Sequence, residues 1–172
     1  NSQEDIQPRL NVPDYPVPHT VTLFSSDSCN LACLYCYRNA QVGGDKMPWP
    51  MAQAAIDFAA NIAIEKKRPC FEVGFHGGGE PTTNLNLMKR VVEYAQELGE
   101  KKSLKVGLAI CTNAMVSKKT AKWIGKTFGP IAISLDGTPE IQNLQRPKAN
   151  GSPSFDNVAQ TIDILDSLDC YY

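Results

Sequence analysis

The chain has 172 residues, 42% of them hydrophobic, which suits one domain around a single buried core. Seventeen basic residues against eighteen acidic ones leave a net charge of -1, so no global field draws the chain to nucleic acid or to an anionic membrane. No apolar stretch approaches the roughly 18 residues that a bilayer crossing needs, and the polar start, Asn1 to Leu10, lacks a signal-peptide core; a cytoplasmic protein with neither nucleic-acid nor membrane partners is expected.

Residues 1–20 carry Pro8, Pro13, Pro16 and Pro18 and read as an irregular lead-in to a folded domain over residues 21–172. Val21 to Phe24 is β-branched and aromatic, a short strand. From Met51 to Glu65, Ala52, Ala55, Ile56, Ala59, Ile62 and Ala63 recur at helical steps behind Pro48 and Pro50. Phe71 to Phe75 is a second strand, followed at once by His76-Gly77-Gly78-Gly79-Glu80-Pro81. A helix is predicted from about Asn84 to Leu98, with Thr82, Thr83 or Asn84 as its cap and Gly99 as its stop. Leu104 to Ile110 reads as a strand, Ser117 to Thr127 as a helix and Ile131 to Leu135 as a strand. Asp136-Gly137-Thr138-Pro139 reads as a turn, and Phe155, Val158, Ile162 and Leu165 mark a last helix. The runs Lys66-Lys67-Arg68 and Lys101-Lys102 read as solvated helix ends.

This alternation predicts an α/β fold of parallel βα units, four or so in number, with strands buried on both faces. In such sheets ligands gather beyond the carboxyl ends of the strands. The loops at 25–38, 76–83, 111–114 and from Asp136 onward all fall there.

Cys29, Cys33 and Cys36 carry the sharpest chemical signal. Their spacing is wrong for a disulfide framework, and it brings three thiolates onto one tight loop, as a metal or cluster with three protein ligands requires. A structural zinc ion normally takes a fourth nearby Cys or His; nothing from Tyr37 to Lys67 can serve, which leaves remote His19 or His76 for a zinc reading. Cys70, Cys111 and Cys170 are scattered and read as small buried hydrophobes, although Cys111 lies where a strand meets a loop of the site. Gly77, Gly78 and Gly79 let backbone approach a ligand closely, or form a plain turn. A phosphate loop would need Lys-Ser/Thr, where this chain has Glu80-Pro81. His76 is either a hydrogen-bonded structural residue or a border of the substrate cavity.

The CxxxCxxC run with Tyr35 before its last cysteine, together with the Gly77-Gly78-Gly79-Glu80-Pro81 stretch, resembles the radical S-adenosylmethionine (SAM) superfamily. Cys36-Tyr37, Gly78-Gly79-Glu80-Pro81 and Ser134-Leu135-Asp136-Gly137 resemble its SPASM-type branch of peptide- and protein-modifying maturases, among them anaerobic sulfatase-maturing enzymes and thioether-forming peptide maturases. The resemblance implies a partial (β/α) barrel in which Cys29, Cys33 and Cys36 hold a 4Fe-4S cluster whose open iron binds SAM. Reductive cleavage of SAM would then yield a 5'-deoxyadenosyl radical that takes hydrogen from a peptide or protein side chain. A one-electron donor such as flavodoxin or ferredoxin is implied as partner. By the same resemblance Tyr35 packs over the adenine, or else only shields the cluster. Gly77, Gly78, Gly79, Glu80 and Pro81 serve the methionine end, with Glu80 facing the ammonium. Thr112, Asn113 and Ser134 fall where the family contacts ribose or carboxylate, and Arg146 fits the branch pattern as a SAM or substrate contact, or lies in a solvated loop. A glycyl-radical activating enzyme and a non-catalytic zinc module are the alternatives.

The family core is longer than the four or so units counted here, with Cys170-Tyr171-Tyr172 as the possible opening of a further strand. The chain is therefore expected to be the N-terminal part of a longer protein, with an unprotected edge on the strand Ile131 to Leu135 and without the cysteine-rich extension of the maturases.

Overall fold

The β-branched and aromatic segments all form strands of one sheet. A computed structural model describes residues 18–38 and 43–172, so the proline-rich lead-in lies outside the described residues except at its very end. The elements run β1 (Thr20–Leu23), α1 (Trp49–Glu65), β2 (Cys70–Phe75), a short 3-10 helix (Pro81–Asn84), α2 (Leu85–Lys102), β3 (Lys105–Thr112), α3 (Lys118–Thr127), β4 (Ile131–Ile133), α4 (Pro139–Gln145) and α5 (Phe155–Asp166).

All strand pairs are parallel, in the order β1-β2-β3-β4, with Val21 beside Val73, Val73 beside Leu108, and Cys111 beside Ala132. Because the order never reverses, crossovers of one hand lay every helix on the same side of the sheet. Alternation along each strand then separates two faces. Leu23, Phe71, Val73, Phe75, Leu108, Ile110 and Ile131 point to the helices and are buried against Ile56, Met88, Val91 and Ile124. Thr20, Thr22, Glu72, Gly74, Ala109, Cys111 and Ala132 occupy the other face, and none of them is fully buried. The expectation of strands buried on both faces is thus corrected: one face carries the core and the other, lined mostly by small side chains, stays open among the described residues. This is the singly wound geometry of a partial barrel.

Three local expectations also change. Gly99 does not stop α2. It is buried inside the helix because a β-carbon there would meet Val106 Cγ2 at 2.5 Å and the Leu104 carbonyl at 2.9 Å. The stop is Ser103, left-handed at φ 55°, followed by a Leu104 N–H bond to the Gly99 carbonyl at 2.9 Å. The segment after Asp136 is not a bare turn: Pro139 at the first helical position opens α4, anchored by fully buried Gln142. Cys170, Tyr171 and Tyr172 form no strand; the Cys170 thiol reaches the Gly125 carbonyl at 3.3 Å. Among the described residues no helix is long and apolar enough to cross a membrane.

Candidate functional site

Every strand ends at the same rim, and the loops that leave it pack against one another. The loop after β1 holds Cys29, Cys33 and Cys36, with Leu31 only 2% exposed as its apolar anchor. Three neighbours grip it. On the first side the glycine loop after β2 runs backbone to backbone: Gly79 N–H donates to the Ser26 carbonyl at 2.7 Å and Glu80 N–H to the Ser28 carbonyl at 2.9 Å. A β-carbon on Gly79 would stand 1.9 Å from the Ser28 oxygen, and one on Gly78, at φ +65°, 2.7 Å from the Ser26 oxygen. The missing side chains therefore admit the cysteine loop itself, in addition to any ligand. Asn84 adds a bond from Nδ2 to the Ser25 carbonyl at 2.8 Å, so it stands at the N-cap position of α2, as expected, but its side chain ties the helix to the loop and makes no capping bond.

On the second side, after β3, Asn30 Nδ2 donates to the Met115 carbonyl at 2.7 Å. On the third, α4 and the residues behind it pair with the cysteine loop: Leu34 N–H meets the Gln145 carbonyl at 2.9 Å, Ala32 N–H the Pro147 carbonyl at 2.8 Å, and Ala149 N–H the Asn30 carbonyl at 3.0 Å. Gln142 steadies this side, accepting from Asp136 N–H at 2.9 Å through Oε1 and donating to Ser154 Oγ at 3.2 Å.

Between these walls lies an open cleft of about 200 Å³. Cys29, Cys33, Cys36, Gly77, Gly78, Gly79, Glu80, Pro81, Asn113 and Ser134 all line it, joined by His76, Cys111, Thr112 and Arg146. Tyr35 does not. Its hydroxyl donates to Asp136 Oδ2 at 2.5 Å, and its ring lies 5.8 Å from the Arg146 guanidinium carbon. Partial desolvation and that hydrogen bond push the Tyr35 hydroxyl up to about 12.

Glu80 is 2% exposed. Its Oε1 accepts from Thr82 N–H at 3.1 Å, Thr82 Oγ1 at 2.7 Å and Thr112 Oγ1 at 2.8 Å, and its Oε2 from Asn113 N–H at 2.8 Å. Burial raises its carboxyl from the ordinary value, while these donors act in the opposite sense. Oε1 is thus saturated within the protein, and Oε2, with one donor, keeps room for a cation. Pro81, buried at the start of the 3-10 helix, follows Glu80 in extended backbone at φ -91°, ψ 121°.

Asn113 is spoken for on every side-chain group. Its Oδ1 accepts from Met115 N–H at 2.9 Å, and its Nδ2 donates to Asn30 Oδ1 at 2.8 Å and to Cys29 Sγ at 3.6 Å. Ser134 is held by its backbone N–H on the Thr112 carbonyl at 3.0 Å.

All six cysteines are free thiols. Burial pushes the Cys29 thiol up, and it does the same to Cys111, which Ser134 hydrogen-bonds. Among the described residues no three His, Cys, Asp or Glu side chains converge as tightly as a single metal ion requires. The three thiols line the wall of one cleft instead, which fits a cluster, since a cluster spreads its protein sulfurs around several irons.

Arg146 is the residue that sequence reasoning undervalued. Its side chain is 12% exposed and its Nε lies 3.9 Å from Asp136 Oδ1. Nε and Nη1 are buried with no hydrogen-bond partner among the described residues. The guanidinium also lies against Cys33, to which it hydrogen-bonds, and it lines the cleft. Its burial speaks against the reading of Arg146 as a solvated-loop residue.

The comparisons with known proteins agree with this geometry. A family model described as the Radical SAM superfamily matches residues 23–170. The protein MJ0907 of Methanocaldococcus jannaschii is 34% identical over 143 residues, 83% of this chain and 46% of that protein. The cysteine-type anaerobic sulfatase-maturating enzyme of Clostridium novyi is 26% identical, over 86% of this chain and 40% of its own length. Of solved structures, native anSMEcpe with bound AdoMet and Cp18Cys peptide superposes with a TM-score of 0.76 at 24% identity, over 90% of this chain and 41% of that one; at that identity the likeness is one of fold. The chain spans less than half the length of the relatives it matches. It belongs to the Radical SAM superfamily, a family of enzymes whose cofactors are S-adenosylmethionine and a 4Fe-4S cluster.

Proposed function

We propose that this chain is the cofactor-binding part of an enzyme that cleaves SAM reductively and uses the 5'-deoxyadenosyl radical to take hydrogen from a peptide or protein side chain. The observation that carries this reading is the convergence of three thiols, a glycine edge and a buried guanidinium, delivered by loops after successive strands, on one cleft. Cys29, Cys33 and Cys36 would hold the 4Fe-4S cluster. When bound, that group supplies one electron to the sulfonium, the chemistry no side chain can perform.

The chain's own residues bind and orient. The glycine loop offers backbone at the wall of the cleft, and Glu80 Oε2 offers one lone pair to an ammonium group. Arg146 presents Nε and Nη1 to a carboxylate, with Ser134 beside it on the same lining. Phe24, set edge-on to His76 at 6.4 Å, backs the glycine loop from outside.

A peptide substrate is supported by two things. The relatives include sulfatase-maturating enzymes, and the open sheet face leaves a second cavity of about 380 Å³. Thr22, Gly74, Ala109 and Ala132 keep that cavity clear, and His76 and Cys111 line both spaces. A substrate segment lying on the sheet would therefore reach the cofactor cleft without crossing a wall.

Anaerobic reconstitution tests the first part: the protein should bind iron and sulfide, turn brown and form 5'-deoxyadenosine from SAM under a strong reductant. Arg146→Gln should keep the iron content and weaken SAM binding roughly 10- to 100-fold, the worth of a charge-assisted pair of about 1.5–3 kcal/mol. Unchanged affinity would remove Arg146 from the SAM site. For the substrate, peptides deuterated on their side chains should pass deuterium into 5'-deoxyadenosine in the full-length protein; the peptide assignment fails if none does.

A further inference from the structure

Asn113 falls where the family resemblance implies a ribose or carboxylate contact, and its side-chain amide is engaged with the cysteine loop. Met115 N–H donates to Asn113 Oδ1 at 2.9 Å, which settles which end of the amide is oxygen. Nδ2 must then face Asn30 and Cys29, where it stands 2.8 Å from Asn30 Oδ1 and 3.6 Å from Cys29 Sγ. Asn30 is held in the matching orientation, because its own Nδ2 is committed to the Met115 carbonyl. Leu31 N–H, 3.5 Å from the same sulfur, adds a second donor. Behind Asn113, Glu80 Oε2 holds its backbone N–H at 2.8 Å. Asn113 is 7% exposed, so its dipole acts where water screens little.

We propose that Asn113 is a positioning residue for the cluster ligand Cys29, setting the reduction potential of the cluster through an N–H···S hydrogen bond. This rests on the reading that Cys29, Cys33 and Cys36 hold a 4Fe-4S cluster. The added electron raises negative charge on the cluster and its thiolates, so a donor aimed at a ligand sulfur stabilises the reduced form and raises the potential. Cys29 and Cys33 differ in their donors: Cys29 takes amide dipoles from Asn113 and Leu31, while Cys33 takes a hydrogen bond from the Arg146 guanidinium. Through Glu80 the glycine loop is tied to the backbone of the residue that donates to Cys29.

The test is a redox titration of the reconstituted protein without SAM, followed by visible absorption and electron paramagnetic resonance. Asn113→Asp keeps an oxygen for Met115 N–H and removes the donor to sulfur; Asn113→Leu removes both without adding charge. With full iron and sulfide content, both variants should have midpoints more negative than wild type, Asn113→Asp the more so. Midpoints equal to wild type overturn the proposal. Should the variants fail to load the cluster, the wild-type protein decides. With isotopically labelled asparagine, pulsed resonance of the reduced cluster should show a weak nitrogen coupling, and its absence overturns the proposal. Wild-type protein that takes up no cluster overturns the reading of the three cysteines as well, so the two failures are distinguishable.

Discussion

The two flanks of the cysteine loop are built on different principles. On the glycine side, backbone lies directly on backbone at the point of closest approach, with Thr83 and Asn84 adding side-chain bonds beside it; Gly79 N–H meets the Ser26 carbonyl, and a β-carbon on Gly79 would overlap the Ser28 oxygen at 1.9 Å. On the α4 side three backbone bonds also join the loop, but no backbone presses into its path, and side chains do the rest: Tyr35 bonds Asp136 across the gap, Arg146 lies near Asp136, and Gln142 braces the flank from within. The first flank has no slack, because backbone atoms cannot rotate out of a clash. The second can be altered one hydrogen bond at a time. The rigid flank thus holds the cysteine loop against the sheet, and the adjustable flank carries Arg146 to the lining of the cleft.

Substitutions can break this contrast, beginning with the largest effect. Gly79→Ala should destabilise the protein by at least about 3 kcal/mol, the upper range of overpacking, and should abolish iron uptake. A melting curve and an iron assay check it, and normal iron loading would show that the glycine flank yields after all.

Glu80→Gln comes next. It keeps the shape but turns an amide N–H toward a donor, either Asn113 N–H or the Thr82–Thr112 group, at a cost of about 1–3 kcal/mol. Urea unfolding measures the loss, and equal stability would mean that the four donors on Glu80 do not require a carboxylate.

Tyr35→Phe should be smallest, at most about 1 kcal/mol for a half-exposed hydrogen bond. Because the folded hydroxyl is raised to about 12, above the ordinary value near 10, its contribution is complete below about pH 10 and disappears as pH climbs toward about 12. Wild type and Tyr35→Phe should therefore converge in stability over that alkaline window. Curves that run parallel through it would remove Asp136 as the partner of Tyr35.

The strands and the long helices could be read from local pattern because apolar periodicity alone places Phe71, Val73 and Phe75, or Met88, Val91 and Ala95, on one face. The cysteine triplet could be read for the same reason, since its three ligands sit on one short loop. Helix α4 escaped such reading: its apolar residues Ile141 and Leu144 are exposed, and the residue that buries it is Gln142. Gly99 misled because its reason is a neighbour, Val106, several residues away on the next strand.

The sequence by itself determined the α/β alternation, the triad of thiols and the glycine stretch, because each depends on residues adjacent in the chain. Only the tertiary structure decided that the Asn113 amide faces Cys29, that Arg146 is buried at the cleft beside Cys33 and Asp136, and that one face of the sheet stays open among the described residues. Those outcomes depend on which groups satisfy one another across separate loops, and hydrogen-bond partners distant in sequence leave no local trace.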